Sequence, residues 1–478
     1  MMQIVLLLHR YLGMAVGVVM TLWCLSGFVM MYRGYPQVTE LQRVAGLQPL
    51  DLAASRAPPT LDLAGLEGFR IEMLAGRLVL RIRQPDGERT LDLASGASVG
   101  PIAPPAALAV ARTYALGAGL KGAPRSLALI DKDQWTIVGA TRRGPVYRIG
   151  LDDPARTVLY VSRRTGEVAQ ATTGQTRLWG WLGAVPHWLY PTILRQNGRL
   201  WSTVVVWLAL IGCFLTATGL YVGIVRFRRY AGGRWSPYRG WHYWHHIAGL
   251  LFGVLTLTWV ASGLVSMNPW GFLDTSVGEA ESSALQGPID PASLQRFLAA
   301  APRQAAPPAA VLEAAPLGGR LYVIERFADG RAVRLDAGGA PAPLARGEMA
   351  RALARMGGPP VADLALLRRE DAYYYKGYQR PAPLPVWRAR LAGPGGRTWY
   401  LDPVSGEMVL ALDATARTSR WLRTGLHDLD FPGLRERPLW DLVVLALLAG
   451  VTVSCATGTW LGLKRLVHDL RRLARRHS

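Results

Sequence analysis

HRYLGMAVGVVMTLWCLSG (residues 9–27) and HHIAGLLFGVLTLTWVASG (residues 245–263) are one helix written twice. Set His9 on His245, and the identities are His9/His245, Gly13/Gly249, Gly17/Gly253, Trp23/Trp259, Ser26/Ser262 and Gly27/Gly263, all at a shift of 236. A shift of 240 lays PVYRIGL (145–151) on PVWRARL (385–391), YVSRRTGEV (160–168) on YLDPVSGEM (400–408) and WLGAVPH (181–187) on WLRTGLH (421–427). A shift of 239 brings Trp201 onto Trp440 and ATG (217–219) onto ATG (456–458). Two apolar helices resemble each other by chance; an ordered series along the whole chain does not arise that way. The chain therefore reads as a duplication, each half running helix, polar region, helix.

Four apolar runs are long enough to cross a bilayer, which takes ~20 residues. They lie near 2–32, 199–225, 242–268 and 438–463, and none has Lys, Asp or Glu in its central portion. The first lacks the basic start and small-residue cleavage site of a signal peptide, so residues 1–32 read as a retained first span. Regions 33–198 and 269–437 are then polar domains on one side of the membrane. The loop 226–241 carries Arg226, Arg228, Arg229, Arg234 and Arg239 without an acid, and the tail 464–478 carries six Lys/Arg against Asp469. Basic residues at membrane ends mark the cytoplasmic side, which puts both termini on that side and both large domains in the opposite compartment.

Spans one and three cross in the same direction, so the repeats are parallel and their two-fold axis runs along the membrane normal. The expected fold is a membrane α-helical bundle of four transmembrane helices, in two parallel repeats, with two α+β domains on the side opposite the termini. Each domain shows a hairpin pattern (77–93; 320–336), then a short helix (105–118; 346–356), then strands ending in the TGEV or SGEM turn. Asp290-Pro291 reads as a helix start near 291–301, and the Pro/Ala-rich stretch 286–310 as a linker. Tyr373–Tyr374–Tyr375 reads as strand in preference to a substrate-facing surface.

The composition excludes several classes. Half of the 478 residues are hydrophobic, so disorder is ruled out, and 52 Gly without a G-X-Y period rule out collagen. Mean hydropathy of +0.15 is high for a water-soluble protein and low for one made mostly of lipid-buried helix. The net charge of +21 hugs membrane ends and follows no nucleic-acid-binding motif. Three cysteines, Cys24, Cys213 and Cys455, all lie in apolar runs and cannot staple a disulfide scaffold.

Of eight histidines, four occupy equivalent places in the halves: His9 with His245, and His187 with His427. A lone interfacial His is an ordinary polar anchor; two matched pairs at opposite membrane faces are not explained that way. Joining His9 to His187 would require a reach of the ~30 Å hydrocarbon core. Equivalent residues, however, meet readily at a two-fold axis, where each pair can offer two imidazoles to a planar metal macrocycle. Zinc fits poorly, since a structural site takes four N/S ligands. Bis-imidazole haem fits two histidines among Trp- and Gly-rich helices, and without C-x-x-C-H it would be non-covalent haem b, two per chain. His242 shares a helix face with His245 and His246 aligns with Arg10, so both remain second-choice ligands, His246 and Arg10 being also candidates for haem propionates. Arg177, Arg195, Arg420 and Arg423 are candidate propionate partners at the other face.

The repeated HxxxG…SG helices, the YxxxxTGEV/YxxxxSGEM turns and the histidines after them resemble the PepSY-associated transmembrane family, over nearly the whole chain. That family includes inner-membrane ferrisiderophore reductases of the FoxB type. The resemblance implies four-helix haem-binding proteins with periplasmic PepSY-like domains, tied to iron uptake, whose ligands map onto His9, His245, His187 and His427. It implies an oxidoreductase carrying electrons from a donor such as a quinol or a flavin reductase, by way of both histidine levels, to a ferric siderophore or other ferric chelate at the soluble domains. No catalytic side chain is needed, because reduction to ferrous iron loosens an oxygen-rich chelate by itself. With five charges of the loop, five net of the tail and Arg10 set aside, ten positive charges remain outside, enough to attract anionic chelates. Competing readings are a haem-free peptide-binding or regulatory PepSY membrane protein, and an accessory component of siderophore or metal import.

Overall fold

A computed structural model describes residues 2–477 apart from 53–60, 140–143, 231–232, 276, 301–307, 378–381 and 394. Among the described residues four helices are long and apolar enough to cross a membrane: α1 (Met2–Met30), α2 (Gly198–Arg226), α3 (Trp241–Ser266) and α4 (Leu439–His477). At 1.5 Å per residue the 29-residue α1 is ~43 Å long, enough to cross a ~30 Å hydrocarbon core and reach into both interfaces. A helix satisfies its backbone polar groups internally, the condition for life in lipid. The outward surfaces fit that solvent, since Leu7, Val18, Leu22, Leu25, Trp207, Phe214, Leu251 and Val254 are all exposed.

Helix α1 packs on α2 and α4, and α3 also packs on α2 and α4, so α1 and α3 face each other across the bundle. Small residues permit the close seams. A Cβ on Gly17 would sit 2.9 Å from Thr459 Oγ1, and one on its counterpart Gly253 would sit 2.6 Å from Leu220 Cδ2. The expected spans are each present, with one difference. Helix α4 does not stop near residue 463 but continues as helix through the basic tail, because KRLVHDLRRLARR holds neither Gly nor Pro to end it.

The chain divides into two compact units. The helical unit comprises 1–35, 178–274 and 415–478; the other comprises 36–177 and 275–414. Among the described residues the second contains three antiparallel sheets. One meander is β4 (Pro124–Ile130), β5 (Val146–Leu151), β6 (Val158–Ser162) and β7 (Val168–Thr172); the other is β11 (Val361–Leu367), β12 (Val386–Leu391), β13 (Thr398–Leu401) and β14 (Met408–Leu412). Each packs a helix on one face: Pro104–Gly117 sets Ala107, Ala111 and Tyr114 against Ile149 and Leu159, and Arg346–Arg355 sets Met349 and Leu353 against Trp387 and Leu401.

The third sheet joins the halves. Its order is β10-β9-β8-β1-β2-β3, with β1 (Gly68–Leu74), β2 (Arg77–Gln84) and β3 (Gly87–Asp92) from the first half and β8 (Val311–Ala314), β9 (Tyr322–Arg326) and β10 (Ala332–Asp336) from the second. Strands β1 and β8 pair antiparallel, Ile71 opposite Leu312. The two soluble regions are thus one body, not the separate domains expected. Each three-stranded sheet would otherwise leave an open edge, and pairing the edges removes both liabilities. Expected hairpins and short helices are present, including Pro291–Ala300 behind Asp290, whose carboxylate accepts from Ala292 N at 3.0 Å. Part of the linker-like stretch, residues 301–307, lies outside the described residues.

The tyrosine run is not a strand. Asp371 Oδ1 accepts from the amides of Tyr373 and Tyr374, both at 2.8 Å, and folds the segment into a bend. Tyr374 stacks on Tyr400 with centroids 5.0 Å apart, and Tyr375 is buried. The Tyr400 hydroxyl donates to Asp371 Oδ2 at 2.7 Å, just as Tyr160 donates to Asp133 Oδ2 at 2.8 Å in the other meander.

Candidate functional site: two histidine pairs

His9 lies two turns into α1 and His245 one turn into α3, which puts both on the facing diagonal helices near the same end. Their ring centroids are 6.1 Å apart. His187 ends a four-residue helix (Ala184–His187), reached after Gly183 breaks the preceding helix Gly174–Leu182. His427 follows a π-helical turn, Trp421–Gly425. These two rings are again 6.1 Å apart. A metal–nitrogen bond of ~2 Å plus ~1 Å from nitrogen to ring centre, taken on both sides of a metal, gives about 6 Å between two axial imidazoles.

Hydrogen bonding fixes which ring nitrogen faces the protein. His9 Nδ1 lies 3.0 Å from Leu215 O and His245 Nδ1 lies 3.1 Å from Ser454 O. A carbonyl only accepts, so each Nδ1 carries a proton and donates it. At the other level, Ser26 donates its hydroxyl to Trp23 O at 3.0 Å and Ser262 donates to Trp259 O at 3.0 Å. Each serine oxygen can then only accept, from His187 Nδ1 at 3.1 Å and from His427 Nδ1 at 3.0 Å. Among the described residues the four Nε2 atoms have no hydrogen-bond partner, which leaves four lone pairs free for a ligand role. A ligating histidine typically holds its second nitrogen in this way. Burial lowers the His187 imidazole to a pKa of about 4, with His427 adding to the effect, so at neutral pH the ring is uncharged and able to ligate.

The repeated glycines make room for the rings. A Cβ on Gly219 would stand 2.6 Å from His9 Cε1, and one on Gly458 would stand 2.7 Å from His245 Cε1. Both glycines end the ATG triplets, whose threonines donate to the same carbonyls that hold the imidazoles: Thr218 to Leu215 O at 2.9 Å and Thr457 to Ser454 O at 3.1 Å. Sequence reasoning counted the SG and ATG repeats as matches without assigning them this work. Along α1, Ser26 lies 17 residues beyond His9, so the two pairs are about 25 Å apart along the helix.

The second-choice ligands fall away. His246 is buried with both nitrogens occupied, Nε2 at 3.0 Å from Gly223 O and Nδ1 at 2.8 Å from Ser236 Oγ. It ties the loop after α2 to the helix ends. His242 is exposed beside Tyr238. Of the candidate arginines, Arg10 and Arg423 are exposed. Arg177 belongs to the other unit, donating to Thr172 Oγ1 at 3.0 Å and Arg156 O at 2.9 Å. Arg420 is buried, donating to Asp430 O at 2.7 Å, and Arg195 lies over Trp201 and Tyr190. Among the described residues no three His, Cys, Asp or Glu side chains gather as a metal cage, so the donor set at each level is two imidazoles.

A family model described as the PepSY-associated TM region matches residues 6–465. No curated protein matches the chain.

Proposed function

The chain belongs to the PepSY-associated transmembrane family, and from that premise and the histidine geometry we propose a membrane haem b protein that reduces ferric chelates across a bacterial inner membrane. The observation that carries the proposal is the pair of 6.1 Å imidazole spacings, each with Nδ1 held by the protein and Nε2 free. His9 with His245 and His187 with His427 would each hold one haem. Bound haem supplies reversible one-electron exchange at iron.

The chain's own residues do the rest. Leu215 O, Ser454 O, Ser26 and Ser262 orient the imidazoles and hold them in the ligating tautomer. Gly219 and Gly458 keep the ring space open. The halves are parallel repeats, which makes equivalent histidines partners. The five arginines of the loop after α2 and the basic end of α4 support a cytoplasmic position for that side; the sheet-bearing unit would then face the periplasm, where a ferric siderophore or similar chelate would dock. No side chain need act as nucleophile or general base.

Reoxidation tests the function. Protein reduced with dithionite, freed of excess reductant and kept anaerobic, should return to the ferric spectrum on addition of a ferric chelate, with ferrous iron trapped by a ferrous-specific dye. A reduced spectrum that persists with ferric chelates of several chemistries would overturn the assignment of the acceptor. Room at the first pair gives a second test. Gly219→Ala or Gly458→Ala forces a ring shift, an overpacking cost of about 1–3 kcal/mol. Each should lower haem occupancy at that level while the His187/His427 level stays filled, measured as haem per chain.

A further inference from the structure

The two histidine pairs share a spacing and differ in attitude. The His9 and His245 planes are 29° apart, close to parallel, whereas the His187 and His427 planes are 63° apart, closer to perpendicular. The backbone supplies the reason. His9 and His245 project from regular helices and donate to equivalent carbonyls of the next helix, so local two-fold matching holds their rings alike. His187 follows a glycine break and His427 a π-helical turn, so the same serine contact is met from two different backbones.

Resting on the haem reading above, we infer that the His9/His245 pair holds its iron at a lower reduction potential than the His187/His427 pair. An axial imidazole donates π-electron density in a direction set by its plane. Near-parallel planes act on the same iron d orbital and split it from its partner; crossed planes act on both and leave them close in energy. Low-spin ferric iron has five electrons in this set and places its single vacancy in the raised orbital, so it gains from the splitting. Ferrous iron fills the set and gains nothing. Parallel rings therefore favour the ferric state and lower the potential.

The hydrogen bonds act in the same direction. At the first pair both Nδ1–H groups donate to backbone carbonyls; at the second both donate to serine hydroxyls, weaker acceptors. Trp259 O also lies near His427 Nδ1, but at 3.2 Å, farther than the Ser262 oxygen at 3.0 Å. A stronger acceptor on Nδ1–H makes the imidazole more basic and stabilises ferric iron. With the basic ends inside, the potential then rises from the cytoplasmic level to the periplasmic one, the order an outward reductase needs.

Low-temperature electron paramagnetic resonance and an optical redox titration of the purified full chain read this without any turnover. Two low-spin ferric signals are expected, one rhombic and one strongly anisotropic, with two one-electron waves. His187→Ala should keep the rhombic signal and the lower wave, and His9→Ala the anisotropic signal and the upper wave. Thr218→Val removes the hydroxyl that shares Leu215 O and should lower the lower wave alone, which keeps the test sound if a histidine variant fails to fold. Two haems with one signal type and one wave, a reversed assignment, or no response to Thr218→Val would overturn the inference while leaving the haem proposal standing. Absence of haem would instead refute the proposed function.

Discussion

In the proposed two-haem protein, His9→Ala and His245→Ala should each remove one haem, the same one, and His187→Ala and His427→Ala should each remove the other. The expectation follows from the two 6.1 Å spacings and from the ~25 Å of helix between the levels. Deleting one imidazole would leave the proposed haem at that level a single protein ligand and weaken its hold severely, while the distant pair would keep both of its imidazoles. Haem per chain should fall from about two to about one in each single variant, and to near zero in His9→Ala/His187→Ala. The double variant His9→Ala/His245→Ala should still hold one. Loss of the same haem in His9→Ala and His187→Ala would contradict the pairing across the bundle.

Arg81→Ala should be the most destabilising single substitution in the sheet-bearing unit. Arg81 is buried, donating from Nε to Glu72 Oε1 at 2.7 Å, from Nη1 to Thr90 Oγ1 at 3.2 Å and from Nη2 to Thr165 O at 2.7 Å. Glu72 is buried as well, and its remaining contact, Arg43 Nη1, is 3.9 Å away. Removing the guanidinium strands a carboxylate in the sheet, at a cost of about 3–5 kcal/mol. The double change Glu72→Leu/Arg81→Met, which removes both charges and refills the volume, should cost much less. Thermal unfolding of the wild type and the two variants in one detergent checks this, and equal losses in the single and double variants would contradict it. Since Thr165 begins the TGEV turn, the single variant should also loosen that turn to proteolysis.

What could be read from the sequence depended on how local its cause is. Span positions follow from apolar run length, and the four histidines from ordered shifts between the halves, so these were legible. Their partners were not, because Leu215 O lies 206 residues from His9 and a backbone carbonyl leaves no mark on the sequence. The same holds for His246, a rival ligand beside His245 in sequence until Ser236 and Gly223 accounted for both its nitrogens. Arg177 is only ten residues from His187, yet its donors are used in the other unit. The joining of β1 to β8 was hidden as well, since edge pairing depends on which edges meet and not on strand pattern. The tyrosine run had a usable signal in Asp371, an acid two and three residues before amides it could cap, which aromatic strand propensity outweighed.

The haem content of the purified full chain tests the central claim most directly. Extracted from membranes in mild detergent, the protein should be red, with a six-coordinate low-spin b-type spectrum and about two haems per chain by pyridine haemochrome. A folded, colourless protein, still colourless after incubation with haem, would contradict it and leave the four free Nε2 atoms to some other ligand.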